Sequence, residues 1–424
     1  MLTSIVGINW GDEGKGRMVD LLSESYKIVV RFQGGNNAGH TVINDRGKFI
    51  LNLLPSGILR ETTVNVMGNG MVIDIEHLTN EMKSLTDKGI KITPDNLKIS
   101  DKAIICMPYH KLLDILEEDR LGDAKFGSTR RGIAPVYSDK YMKKGIRMGD
   151  LLYPDVLKDK VKAIVEWKNL TVADGYKHEA ITADEMLSWL HTYGDAFKPF
   201  ICDTGKYLYE ANKAGTDIMF ETQLGALRDI DFGIYPYTSS SNTISAYAPI
   251  GAGVPGLKVG KTIGIMKAYS SCVGEGPFTC EMFDETGDKL REAGGEYGAA
   301  TGRPRRVGGF DIPASKYGCL VQGADEIALT KLDVLSCFDK IPVCKAYDIN
   351  GEITTDFPIG ERLRIAKPVY EYLDGFNCDV SKCRKLEDLP KAAREYIDYI
   401  EKAVDCKMKY ISVGAERDAY IEVK

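Results

Sequence analysis

Residues 4–17 read Ser4-Ile5-Val6-Gly7-Ile8-Asn9-Trp10-Gly11-Asp12-Glu13-Gly14-Lys15-Gly16-Arg17. The run Ser4 to Ile8 is short and apolar, and it breaks into three glycines interleaved with charge. A second run, Lys27 to Phe32, is rich in Val and Ile and breaks into Gln33-Gly34-Gly35-Asn36-Asn37-Ala38-Gly39-His40-Thr41. Short apolar runs that end in glycine read as buried strands of a mostly parallel sheet. Thr63 to Met67, Ile263 to Ala268 and Leu320 to Gln322 are further strand candidates.

Helical patterns lie between them. His77 to Lys88 stops at Gly89, Ala183 to Tyr193 is opened by Thr182 and closed by Gly194, and Leu386 to Val404 is the longest, with Pro390 near its first turn. Strands alternating with helices predict an α/β fold, a mostly parallel central sheet with flanking helices that binds ligands at the strand carboxyl ends. The loop after the first strand makes it a P-loop-like nucleotide-binding enzyme with insertions. No repeat, low-complexity tract or linker divides the chain, so residues 1–424 are expected to form one large domain.

The glycine loops carry the chemistry. In Gly11 to Arg17, three glycines free the backbone to bring N–H groups to phosphate oxygens. Lys15 supplies a cation for a β- or γ-phosphate, and Asp12 can hold Mg²⁺ or accept a proton. The segment is not GxxxxGK[ST], because Asn9 stands at the first glycine and neither Ser nor Thr follows Lys15. The competing reading is a tight strand–helix turn with solvated charges. In the second loop, asparagines and amides suit phosphate or a purine edge, and His40, one of five histidines, reads as a general acid or a phosphate donor. Gly302-Arg303-Pro304-Arg305-Arg306 holds guanidiniums on a stiff, glycine-flanked loop suited to carboxylate or phosphate. In Thr330-Lys331-Leu332-Asp333 a carboxylate can take a guanine's N1–H and N2 amine, which adenine does not offer together, while the lysine stem lies over the base.

Composition excludes other classes. Hydrophobic residues make 44% and charged residues 27% of the 424, an ordinary globular balance. A net charge of −6 offers no polyanion footprint, so the basic clusters belong to a site. Ten scattered cysteines with no CxxC pair read as reduced thiols. Without a leader-like amino terminus or a spanning apolar stretch, the expected compartment is the cytoplasm.

Ten ordered stretches, NWGDEGKGRMVD, RFQGGNNAGHTV, LLPSGIL, GNGMVID, GSTRRGIAP, DIDFGIYPYTSSSNT, KAYSSCVGEGPF, ATGRPRRVGGFD, LTKLDVL and SVGAERDAYI, resemble the adenylosuccinate synthetase family nearly end to end. The resemblance implies a GTP- and Mg²⁺-dependent ligase that joins IMP and L-aspartate, through a 6-phosphoryl intermediate, to adenylosuccinate with GDP and phosphate released. It implies Asp12 as the base on purine N1 and a metal ligand together with the Gly39 carbonyl. His40 becomes the acid toward departing GDP, and Lys15 sits on the transferring phosphoryl group. GTP is implied to meet Gly11 through Arg17, Gly39 to Thr41, Arg305, Lys331 to Asp333 and Ser412, Val413 and Gly414. IMP is implied to meet Asn37, Ala38, Gly39, His40, Thr129, Lys143, Gln223, Leu224, Ser239 and Arg303. Ala299, Ala300, Thr301, Gly302, Arg303 and Arg305 are implied to hold aspartate, and a homodimer to share the site through Lys143 and Arg147.

The departures cluster on the acceptor side. The family's FEGAQG reads Phe220-Glu221-Thr222-Gln223-Leu224-Gly225, its VTSSN threonine is Ser239, an arginine is Lys143, TRVG reads Ser271-Cys272-Val273-Gly274, and TTGR begins at Ala300. Two other readings stay open: a paralogue acting on another 6-oxopurine nucleotide, and a GTP-binding regulator that does not synthesise.

Overall fold

The computed structural model describes residues 1–44, 47–298, 302 and 304–423, and no side chain of residues 43 and 44. Ten strands form the central sheet: β1 Leu2–Gly7, β2 Ile28–Arg31, β3 Val64–Met67, β4 Leu97–Ser100, β5 Ile201–Cys202, β6 Ile218–Glu221, β7 Lys261–Lys267, β8 Glu326–Thr330, β9 Lys407–Ser412 and β10 Tyr420–Glu422. Their spatial order is β10-β9-β8-β7-β1-β6-β2-β3-β4-β5. Every pairing is parallel except β9 with β10, as the apolar, glycine-terminated runs predict.

The order places the site. From β1 the chain builds β2 to β5 outward on one flank, returns to insert β6 beside β1, then builds β7 to β9 on the other flank. β1 pairs with β6 (Ile5 opposite Glu221) and with β7 (Gly7 opposite Ile265). The strand order therefore reverses around β1, and the crevice outside its carboxyl end is where such sheets bind ligands. Both faces of the sheet are covered. Helix Lys391–Val404 buries Ala393, Tyr396, Ile397, Ile400 and Val404 in one core, and a second core gathers around Met67, Ile73, Leu97 and Ile99. No helix among the described residues is long and apolar enough to cross a membrane.

The predicted strands at 4–8, 27–32, 63–67 and 263–268 fall on β1, β2, β3 and β7 within two residues. The fifth does not: Leu320–Gln322 is the last turn of helix Ile312–Gln322, opened by Asp311 accepting from the Ala314 N–H and closed by Gly323 at φ 58°. A three-residue apolar run has no period of its own, and the neighbouring strand is β8. The long carboxyl-terminal helix begins at Lys391, after a 3₁₀ turn at Leu386–Asp388 that Pro390 separates from it. It is shorter than Pro154–Val172, whose 19 residues make a longer helix.

Candidate active site

The loop after β1 folds around a buried carboxylate. Glu13 accepts the N–H of Asn9 at 3.1 Å and of Gly11 at 2.8 Å on Oε1, and Lys15 Nζ at 2.6 Å on Oε2. The charges are thus not those of a solvated turn: Glu13 is buried, occupies two of the loop's donors itself and fixes the lysine. Asp12, at φ 58°, turns outward with its side chain 39% exposed, and its Oδ2 lies 3.4 Å from Arg305 Nη2. Gly14 caps helix Lys15–Leu22, so the helix amino terminus faces the crevice and favours anions. Arg17 crosses to the loop after β9, donating to Ser412 Oγ at 2.6 Å, to the Ala419 carbonyl at 3.1 Å and to the Gly414 carbonyl. Its guanidinium is a strut that holds Ser412 to Gly414 against the phosphate loop.

His40 begins the strand His40–Asn44 that follows the second glycine loop. Its ring lies where a side chain on Gly16 would stand, so only glycine there admits it to the helix start. Ser56 Oγ donates to Glu221 Oε1 at 2.8 Å, and His40 Nε2 lies 2.7 Å from that hydroxyl. With the hydroxyl proton committed to Glu221, Nε2 is the donor and Nδ1 is the nitrogen left bare. Burial, aided by the Arg31 and Lys15 cations against an opposing Glu221, pushes the imidazole down to about 4, so it is neutral at pH 7.

The second loop is clamped from behind. Gln223 donates its amide to the carbonyls of Gly35 at 2.6 Å and Asn52 at 3.0 Å, with Ala38 at 3.4 Å. Gln33 returns a bond to the Gln223 carbonyl at 2.9 Å. Leu224, at φ 61°, lies against Gly11. Asn36 donates to Asp74 at 3.0 Å, and Asn37 accepts the Gly35 N–H at 3.2 Å.

On the opposite wall, Thr330 at the end of β8 donates to the Glu13 carbonyl at 2.6 Å, which ties the Thr330–Asp333 segment to the phosphate loop. Lys331, at φ 60°, sends its ammonium to the Gly294 carbonyl at 2.7 Å. Asp333 Oδ1 is buried without a hydrogen-bond partner among the described residues, and burial raises the carboxyl above its usual range. A buried, orphaned acceptor beside an anion-binding loop suits a ligand's N–H donors. Of the expected amino-acid loop, Gly302 and Arg305 are described; Ala299, Ala300, Thr301 and Arg303 lie outside the described residues.

The acceptor-side positions sit farther out. Thr129, Lys143 and Arg147 are exposed. Thr129's loop meets the Ser239 loop through Phe126 and Tyr237, whose rings lie 6.3 Å apart, and Ser239 Oγ is 3.0 Å from Ser241 Oγ. Cys272 is buried under Arg228, whose Nη2 lies 3.1 Å from its sulfur and 2.6 Å from the Val273 carbonyl. Sequence reading did not single out Ser56, Arg228, Lys267 or Glu296. No local pattern marks them, because each has a partner distant in sequence: Glu221 for Ser56, Cys272 for Arg228, and each other for Lys267 and Glu296.

A parallel sheet whose reversal point gathers two glycine loops, a helix amino terminus, a fixed lysine and a histidine on a carboxylate defines an α/β enzyme built to handle nucleotide phosphates. The sequence model for adenylosuccinate synthetase matches residues 4–421. The adenylosuccinate synthetase of Caldanaerobacter subterraneus subsp. tengcongensis is 44% identical over all of this chain and 99% of its own, and that of Clostridium acetobutylicum 43% over 99% and 98%. The fully ligated adenylosuccinate synthetase of Plasmodium falciparum superposes at a TM-score of 0.92 with 36% identity, over 100% of this chain and 99% of its own. A succinoaminodeoxyadenylate synthetase of cyanophage S-2L shares the fold at a TM-score of 0.62 and 17% identity, over 99% of this chain and 95% of its own. The chain belongs to the adenylosuccinate synthetase family, ligases that form a carbon–nitrogen bond between IMP and L-aspartate in purine biosynthesis.

Proposed function

We propose that this chain drives that ligation with GTP, on a site shared across a cytoplasmic homodimer, by phosphorylating the purine 6-oxygen and letting the aspartate amine displace phosphate. The observation that carries the donor reading is the orphaned Asp333 carboxylate oxygen at the rim of the phosphate loop, an acceptor for guanine N–H groups. Asp12 takes the purine N1 proton, which makes the 6-oxygen nucleophilic toward the γ-phosphorus. Lys15, held by Glu13, sits on the moving phosphoryl group, where position and charge carry most of the catalysis. His40 enters neutral; phosphate dianions favour its charged form, and the imidazolium then offers a proton through the free nitrogen to departing GDP. Arg305 meets the aspartate carboxylates.

Magnesium fits what is present. Among the described residues no three His, Cys, Asp or Glu side chains cluster as a metal cage, while the Asp12 carboxylate, 39% exposed, offers an oxygen to which the family resemblance adds the Gly39 carbonyl. That is the sparse protein share of an ion that keeps waters and takes phosphate oxygens. Bound there, it would neutralise charge on the phosphates.

The test is phosphate release over a panel of purine monophosphates with GTP and aspartate. IMP should be turned over, and Asp12→Asn should lose about 10²–10⁴-fold while staying folded. Turnover confined to another 6-oxopurine nucleotide would install the paralogue reading, and none with any would favour the non-synthetic regulator.

A further inference from the structure

Among the buried carboxylates that the mechanism above does not use, Glu296 is the one bonded to Lys331 and Arg305. Glu296, fully buried, follows helix Glu285–Gly294 and the left-handed Gly295. Its Oε1 receives Lys267 Nζ at 2.7 Å, Lys331 Nζ at 3.0 Å and the Tyr269 hydroxyl; its Oε2 receives Arg305 Nη1 at 2.9 Å. The Arg305 N–H also bonds the Glu296 carbonyl at 2.9 Å. Burial alone would raise the carboxyl, but Lys267 and Lys331 override it and hold it ionised, well below the usual range.

Three cations on one carboxylate exceed what neutrality or stability requires. A buried pair replaced by apolar residues is often no less stable, so the cluster calls for another explanation. Its two oxygens divide the cations by task. One oxygen holds Lys331, a residue in strained left-handed backbone whose stem is read as lying along the donor base. The other holds one edge of the Arg305 fork, and Arg305's remaining edge faces Asp12 at 3.4 Å.

We propose that Glu296 is a positioning residue that couples the donor-nucleotide subsite to the centre of phosphoryl transfer, by fixing Lys331 and Arg305 through opposite oxygens of a single carboxylate. The coupling rests on the donor reading given above. Anything that orders Lys331 also orders the Arg305 fork beside Asp12, so nucleotide occupancy and catalytic geometry are set together. A cluster that merely stabilised the fold would alter stability and leave the kinetic constants in proportion.

Glu296→Gln keeps the shape but has one acceptor oxygen, so its amide nitrogen must confront either the lysines or the guanidinium. Folded variant, verified by circular dichroism, should show a GTP KM raised about tenfold and kcat lowered about tenfold, with the IMP KM within threefold. A non-hydrolysable GTP analogue should bind it about tenfold more weakly by calorimetry. Unchanged analogue binding and kcat, or equal rises in every KM, would overturn the proposal. Should Glu296→Gln not fold, Lys331→Met and Arg305→Met decide in the native background. A combined effect on analogue binding at least fivefold short of the product of the single effects supports coupling, and simple multiplication overturns it. A native chain that binds the analogue but makes no adenylosuccinate would sink the ligation reading alone, since the coupling is still read from binding.

Discussion

Gln223→Ala separates a clamp on the second glycine loop from a direct contact with the acceptor. The Gln223 amide holds three carbonyls of that loop and of Asn52, at 2.6, 3.0 and 3.4 Å. Asn52's carbonyl keeps Arg31 Nη1 at 2.8 Å after truncation, so the main loss is at Gly35. Leaving one buried acceptor unpaired costs about 1–3 kcal/mol, and the remaining bonds add about 0.5–1.5 kcal/mol. A destabilisation of about 2–4 kcal/mol follows. With an unfolding entropy of about 2.1 cal/mol/K per residue, 424 residues convert this to a Tm lower by about 2–4 °C. Helix Lys15–Leu22 and the Lys331–Asp333 wall are untouched, so the IMP KM should rise several-fold while the GTP KM stays within about twofold. Gln223→Glu should be worse than alanine, because it turns a carboxylate toward the same carbonyls. Calorimetric scans with initial-rate kinetics read both effects. An unchanged Tm with a raised IMP KM would refute the clamp and make Gln223 a direct ligand; a GTP KM rising as much as that for IMP would refute the separation of the two walls.

Asp333→Asn should cost GTP about tenfold or more in kcat/KM relative to ATP, since one acceptor for the paired guanine donors is lost; a wild type equally active on both donors defeats that reading. Lys143→Arg should lower the KM for IMP, because a planar fork grips phosphate better than a point charge, and sedimentation should give a dimer; a fully active monomer counts against a shared site. Asp311, the cap of helix Ile312–Gln322, is raised by burial to about 6 from 3.8. The folded state therefore holds a proton that the unfolded chain releases between those values, and stability falls as pH rises through that window, then levels off above it. Asp311→Asn removes the fall, so urea midpoints should show the variant gaining about 2 kcal/mol on the native chain from pH 4.5 to pH 7; a constant difference would show Asp311 to be ionised throughout.

The sheet was legible because its strands carry their own signal: four apolar runs, each closed by a glycine or a turn, fall on β1, β2, β3 and β7. Leu320–Gln322 misled because three apolar residues fit a helix end as well as a strand, whereas Asp311 and Pro313, a cap and a first-turn proline, lay nine and seven residues upstream. In the site, glycines and charges adjacent in sequence were readable, but the division of labour among them was not. The resemblance implies Glu13 and Arg17 only as members of a GTP-binding stretch. In space Glu13 answers the loop's own amides and Arg17 braces the Ser412–Gly414 loop. Glu296 carries no sequence signal: Arg305 is nine residues away, but its two lysines, Lys267 and Lys331, lie 29 and 35 residues away on strand ends that only the sheet order brings together.

The departures from the family pattern look like losses only along the sequence. Where TRVG would place an arginine, Cys272 stands beneath the Arg228 guanidinium, which reaches the Val273 carbonyl from the segment that follows β6. A planar cation is thus present at that corner, anchored from the Gly225–Thr243 side; its other arm also takes the Tyr237 carbonyl, so the two acceptor-side loops are laced together. Ser239 keeps a hydroxyl where the family pattern has threonine's, 3.0 Å from Ser241 Oγ. At Leu224 the exchange is different in kind. An apolar side chain lies against Gly11, and the neighbouring amide of Gln223 has turned inward to brace the loop that carries Asn37 to His40. A cation and a hydroxyl thus remain among these loops, and the Gln223 amide is spent on bracing the second glycine loop from behind. A neutral bond is worth about 0.5–1.5 kcal/mol, a several-fold change in affinity, so under the proposed roles this exchange would adjust acceptor binding and leave untouched the chemistry proposed for Asp12, Lys15 and His40.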